Sequence, residues 1–198
     1  KFLFKRRMVV PIAISPRVRE SIEKRYGLTA DDVPMIYNGI NVKRFLPKSD
    51  YTQHDEFICL HIGRFSEQKN HVEMILAIKK LIDAGEKVRF VFVGEGDLLE
   101  SIEEKTNELH LMDYVVFAGI TGDVSPWFEK SDLFMLPSKW EGMPMTLIEA
   151  MSAAMPIIAA NVGGVSDMLQ NGKSAILIEP NADDLSNKIL ELKKDEEL

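Results

Sequence analysis

The sequence predicts an α/β fold, a Rossmann-like, doubly wound parallel sheet with helices packed on both faces. Three observations carry this. Short apolar runs alternate with amphipathic stretches along the chain. The runs are apolar throughout rather than at every second residue, as expected of strands covered on both faces. The stretches between them carry helix start and stop signals. Strand, helix, strand repeated in this way builds a parallel sheet.

Taken in order, strands are predicted over 8–14, 33–37, 57–62, 88–93, 114–117, 132–136, 156–160 and 174–178. After the first, Ser15 and Pro16 read as a helix N-cap and a first-turn proline. After the third, Asn70 precedes a helical apolar pattern through Val72, Ile75, Leu76, Ile78 and Ile82, with a stop at Gly85. Near the end, Asn181 stands before Asp183 and Asp184, acids that suit a helix N-terminus. Residues 47–56, from Pro47 to Glu56, are polar and aperiodic and predict a linker. It divides the chain into a first segment, 1–46, and a ligand-binding domain, 57–198.

Size and charge narrow the function classes. The chain has 198 residues, which suit one domain or one domain with a piece of another, and 45% hydrophobic residues, enough for a sizeable core. A net charge of -7 argues against a nucleic-acid partner, whose phosphates need cations. The basic run Lys5, Arg6, Arg7 is too short for a membrane patch. Cys59 is the single cysteine, so no internal disulfide forms, and a reducing, cytoplasmic location is expected. Its apolar neighbours predict a buried thiol. No apolar run approaches the ~18 residues of a membrane span. The start at Lys1 rather than Met suggests a cut fragment.

Ligands of doubly wound sheets bind at the C-terminal ends of the strands, so the loops there are where chemistry is sought. The loop after 57–62 reads Gly63 to Asn70 and carries Arg64 and Lys69. Two cations before a helix suit a diphosphate; a solvated surface pair fits the residues equally well. The loop after 132–136 runs from Pro137 to Pro144 and leads into a helix containing Glu149. Pro144 suits a first helical turn, and the free amides there form an anion site. Glu141 and Glu149 beside such a site point to a neutral partner, with sugar hydroxyls the natural one; a loop acid and a helix-face acid are the bland alternative. Gly94 and Gly96, and Gly163 and Gly164, follow other strands as turns that a ligand's backbone approach or a plain tight turn would explain. Glu95 and Asp97 are expected to be structural, and His54, His61, His71 and His110 show no metal-like spacing.

Together these loops resemble the glycosyltransferase group 1 family, retaining enzymes of the GT-B fold, over about residues 8–193. The features that carry the resemblance are Gly63-Arg64 with Lys69, Gly94 and Gly96, Glu141-Gly142 with Glu149 after seven intervening residues, and Gly163-Gly164. Asn38-Gly39-Ile40-Asn41 with Phe45 resembles the end of the family's first domain.

The resemblance implies that 57–198 is the C-terminal, donor-binding domain. It implies catalytic roles for Arg64, Lys69 and Glu141, the two cations binding the donor diphosphate in place of a metal. Glu149 would hold the ribose and Glu141 the transferred sugar. Gly63, Gly94, Gly142, Met143, Pro144, Met145 and Thr146 would line the donor site, and Phe117, Ala118 and Gly119 would border the base. No cofactor and no metal are implied beyond the nucleotide-sugar donor. The implied partner is an N-terminal acceptor domain in the same polypeptide, of which 1–46 would be the tail. The implied acceptor is a glycan, lipid or polysaccharide precursor, with room for peripheral membrane contact by the full enzyme. Two features depart from the family. Asp167 stands where a glutamate is common, and the chain stops after Leu190, Leu192 and a charged tail where a further helix is usual. A free-standing nucleotide-binding module is the alternative function. A pyridoxal-phosphate phosphorylase of the same fold is a third, for which no cofactor lysine can be placed.

Overall fold

The computed structural model describes residues 2–6, 8–48 and 56–194. Six strands form one sheet: β1 Phe57–Ile62, β2 Val88–Val93, β3 Val115–Gly119, β4 Leu133–Leu136, β5 Ile157–Ala160 and β6 Ile176–Ile178. Their order is β3-β2-β1-β4-β5-β6, and every pairing is parallel. This is the doubly wound order, in which the chain builds outward from β1 in one direction and then from β4 in the other.

The strands predicted from residue 57 onward all form, with small shifts at their ends. Those predicted over 8–14 and 33–37 do not. They meet only at one bridge, Ala13 opposite Met35, closed by Ala13 N donating to Pro34 O and Ile36 N to Ala13 O. Pro11 and Pro34 lack the N–H that a longer ladder needs. Val9, Val10 and Ile12 consequently stay exposed.

Eight α-helices accompany the sheet among the described residues: α1 Phe2–Lys5, α2 Pro16–Tyr26, α3 His71–Asp83, α4 Leu99–Glu108, α5 Ser125–Lys130, α6 Met145–Ser152, α7 Val165–Met168 and α8 Ala182–Lys193. Their starts follow the local chemistry. Ser15 Oγ accepts from Val18 N, and Asn181 Oδ1 accepts from Asp184 N, so both predicted N-caps form. Gly27 closes α2 with φ 64°, a conformation glycine adopts without strain. Asn70 precedes α3 as expected but does not cap it through its side chain. It sits at φ 62°, and its amide turns away to donate to Pro137 O and Pro180 O. The residue thus ties three strand-end loops together instead of serving one helix. Pro144 is extended and immediately precedes α6 rather than occupying its first turn.

Alternate residues of each strand feed two cores. Cys59, Phe90, Phe92, Leu133, Met135 and Ile158 face α3, α4 and α8. Leu60, Val91, Phe134, Leu136, Ile157 and Ala159 face α5, α6 and α7. Burial on both faces explains the unbroken apolar runs read in the sequence. Cys59 is fully buried, and burial pushes its thiol well above the usual value.

The predicted linker 47–56 lies outside the described residues over 49–55, as do Arg7 of the basic run and the tail 195–198. The segment before it is already seated on the sheet domain. Phe45 is buried edge-on against Phe128, and Lys48 pairs with Asp132 at 3.0 Å. Among the described residues no helix is long and apolar enough to cross a membrane.

Candidate functional site

β1 and β4 are neighbours in the sheet, yet the chain leaves them toward opposite faces. A crevice opens where connections diverge in this way, outside the carboxyl ends of the two strands. The loops flanking it here are 63–70 and 137–144, the two singled out by their charges.

The loops are clasped. Lys139 N donates to Gln68 O at 2.8 Å, and Gln68 Nε2 donates to Trp140 O at 2.9 Å. Lys69 Nζ donates to Glu141 Oε1 at 2.6 Å, and Gln68 Nε2 reaches Glu141 Oε2 at 3.3 Å. The lysine and glutamate side chains are only 14% and 5% exposed, so this pair lies nearly out of water. A rim pair, Lys139 with Glu67 at 3.2 Å, completes the contact.

Glycines let these backbones approach. A Cβ on Gly94 would lie 2.1 Å from Gly63 O, and one on Gly96 2.3 Å from Phe65 O. Gly94 N donates to Gly119 O, so the ends of β1, β2 and β3 lie against one another. The pair Gly163-Gly164 does the same for the other loop. Their Cβ positions fall 1.9 Å from Glu141 O and 1.6 Å from Gly142 O, and Gly164 N donates to Glu141 O. At these positions the close approach is made by the protein's own backbone.

Of the predicted site residues, Lys69, Glu141 and Gly142 are thus brought together. Gly142 also faces Ile14 and Val18 at the start of α2. Arg64 stands exposed on the same loop as Lys69, without an ion-pair partner among the described residues. Phe117 packs its ring toward Phe65 and Phe92, and Ala118 and Gly119 complete β3. Met143 O accepts from the Asn38 amide at 3.2 Å, which joins the first segment to the start of α6. Met145 and Thr146 form the first turn of α6, whose leading amides have no partner within a helix. Glu149, one turn on, is half-buried and makes no side-chain hydrogen bond among the described residues. Burial holds its carboxyl above the usual range, with Arg44 opposing. Asp167 lies at 3.9 Å from Arg17.

Several residues that shape the site were not singled out from the sequence: Gln68 and Asn70 as clasps, and His61 and His71 beneath the first loop. The two imidazoles meet edge to face at 4.9 Å, and Phe65 stacks on His71 at 4.1 Å. His61 Nδ1 lies 2.9 Å from Met135 O, while its Nε2 points under Gly63. Burial lowers His61 to about 4 and His71 further, aided by the nearby Lys69 charge. Both rings are therefore neutral above pH ~5 and form an uncharged floor under the lysine. Histidine at the end of an apolar strand was the one signal for this layer.

Known proteins share this family and fold. The family model for glycosyl transferases group 1 matches residues 42–198. The UDP-Gal:alpha-D-GlcNAc-diphosphoundecaprenol alpha-1,3-galactosyltransferase of Escherichia coli is 30% identical over 75% of this chain and 42% of its own length. Sucrose-phosphate synthase from Thermosynechococcus elongatus superposes with a TM-score of 0.81 and 27% identity, covering 93% of this chain and 49% of that one. HepE of Anabaena, solved in complex with UDP and glucose, shares the fold at a TM-score of 0.82 and 21% identity, covering 93% of this chain and 53% of that one. The chain spans under half the length of the first curated relatives it matches.

Proposed function

We propose, from the premise that this chain belongs to the group 1 glycosyltransferases, that it is the donor-binding part of a retaining transferase. The single observation that carries the reading is the near-buried Lys69–Glu141 pair at the crevice between β1 and β4, with Arg64 unpaired on the same loop. Such a site offers one held and one exposed cation for a diphosphate and a fixed carboxylate for sugar hydroxyls.

In this reading a nucleoside-diphosphate sugar lies along the C-terminal edge of the sheet. Glu149 accepts hydrogen bonds from the ribose, for which a half-buried carboxylate without a hydrogen-bond donor among the described residues is suited. The backbone from Phe117 to Gly119 borders the base. Transfer breaks the bond between the sugar's anomeric carbon and a diphosphate oxygen, and negative charge builds on that oxygen. Arg64, Lys69 and the first-turn amides of α6 offset it, the task a divalent ion performs elsewhere. The uncharged His61 and His71 beneath Lys69 keep competing charge and water from that side.

The acceptor belongs to a further domain of the same polypeptide, in keeping with relatives about twice this length. Holding both reactants in place lowers such a barrier by about 7–11 kcal/mol. The 198-residue chain is accordingly expected to bind donor and transfer nothing by itself. The test is calorimetric titration with UDP, GDP and ADP, with and without chelator. One nucleotide is expected to bind in both conditions, and Arg64→Ala to weaken it by about 1.5–3 kcal/mol, the worth of a charge-assisted hydrogen bond. Failure of all three to bind sinks the donor site, and affinity that vanishes with chelator sinks the metal-free version of it.

A further inference from the structure

Gln68 carries no charge and lies one residue before the cation, on the short 3₁₀ turn Glu67–Lys69. Three contacts fix it. Its carbonyl oxygen accepts from Lys139 N at 2.8 Å, which sets the distance between the two loops. Its side-chain amide donates to Trp140 O at 2.9 Å, which sets the direction of the side chain. The same nitrogen then reaches Glu141 Oε2 at 3.3 Å, while Lys69 holds Oε1 at 2.6 Å. Each oxygen of Glu141 therefore has its own donor, and the donors come from adjacent residues of the opposite loop. A carboxylate tied through one oxygen can rotate about its last bond; tied through both, its plane is set.

The arrangement has a further effect on Lys69. Its ammonium is engaged by Glu141. A diphosphate would compete for it, and a carboxylate only 5% exposed that lost its cation would be left strongly destabilised. The Gln68 amide cannot be drawn off by the phosphates in the same way, because it is neutral and anchored to Trp140 O.

We propose that Gln68 is a positioning residue for the sugar end of the donor. It holds the plane of the Glu141 carboxylate and keeps that group partnered while Lys69 turns toward the diphosphate. This rests on the donor-site reading above, in which Glu141 meets the transferred sugar. Gln68 itself touches neither sugar nor phosphate.

Two variants separate the idea from a general loosening of the loops. Gln68→Met keeps the bulk and the backbone bond to Lys139 but removes the donor. Gln68→Glu keeps the shape and sets an acceptor against both Trp140 O and Glu141. Each is titrated with a bare nucleoside diphosphate and with its glucose, galactose and mannose conjugates, and the conjugate that the wild type binds most differently from the bare nucleotide serves as reporter. Both variants are expected to bind the bare nucleotide more weakly than the wild type, by about threefold, because Glu141 lacks its second donor when Lys69 turns to the diphosphate. The added effect of the sugar should fall about tenfold, more in Gln68→Glu than in Gln68→Met. A sugar effect unchanged in both variants overturns the proposal, as does an equal loss for bare and sugar-bearing nucleotides, which marks a structural clasp only. A wild type that binds none of the nucleotides, or treats every conjugate like its bare nucleotide, overturns the donor-site reading itself.

Discussion

The loop after β4 and the helix that follows it each carry a glutamate, and the two stand in opposite circumstances. Glu141, on the loop, is almost sealed from water, and both its oxygens are held. Glu149, on α6, is half-buried with no hydrogen-bond donor among the described residues, and burial pushes its proton affinity up. The cations on the facing loop repeat the contrast, Lys69 engaged and Arg64 exposed without an ion-pair partner among the described residues. Two of these four charged groups thus satisfy each other, and the other two make no ion pair of their own among the described residues. The paired arrangement fixes geometry, and the unpaired one does not.

Removing Lys69 tests the satisfied pair hardest. Lys69→Ala strands the Glu141 carboxylate, and breaking a buried pair from one side costs about 3–5 kcal/mol. The loss would be read from urea unfolding at neutral pH. A double change, Lys69→Met with Glu141→Leu, should restore most of it. A single-variant loss below about 1 kcal/mol would mean that the pair behaves as a surface one.

Moving Glu141 without touching its charge is the next largest step. A Cβ on Gly164 falls 1.6 Å from Gly142 O, so Gly164→Ala forces the 141–142 backbone away. Overpacking of this kind costs about 1–3 kcal/mol. Thermal unfolding should show that loss, accompanied by weaker binding of sugar nucleotides. Wild-type melting and affinity together would show that the loop yields freely and is not the rigid element supposed here.

The smallest effect concerns the unpaired glutamate. Glu149 has its carboxyl raised, by burial first and against the opposing pull of Arg44. A raised acid binds its proton more tightly in the folded chain. Its favourable contribution is complete below the ordinary carboxylate value of about 4.3 and is lost as pH rises through the raised value. Glu149→Gln removes the desolvated charge. The variant should melt slightly above wild type at pH 7, by about 0.5 kcal/mol or less for a group this exposed, and level with it at pH 4. It should bind nucleotide more weakly despite the gain. Equal melting at pH 7 would place Glu149 in full contact with water.

The sheet from residue 57 onward was legible because its cues are local. Six apolar runs became the six strands, and Ser15 and Asn181 capped the helices they precede. The two loops at the crevice were legible too, since following a strand in a doubly wound sheet already places a loop on the ligand edge. The first segment was not, because the apolar runs at 8–14 and 33–37 look like strands wherever they occur. Whether they become so depends on neighbours, and here each finds a single rung on the other.

By itself, then, the sequence determined the fold class, the C-terminal edge of the sheet and the charged residues available there. All of these follow from periodicity, caps and the order of elements. Tertiary structure decided how those residues are paired. Lys69 and Glu141 meet across 72 positions only because β4 lies beside β1, with 70 residues between the ends of those strands folded into other parts of the domain. The same adjacency sets Gln68 against Trp140, places Asn70 between Pro137 and Pro180, and fills the spaces above Gly94 and Gly164 with backbone. A short-range pattern records what each residue can do. Partnership depends on which strands are neighbours, and that is settled only when the hydrophobic faces of the whole sheet are buried together.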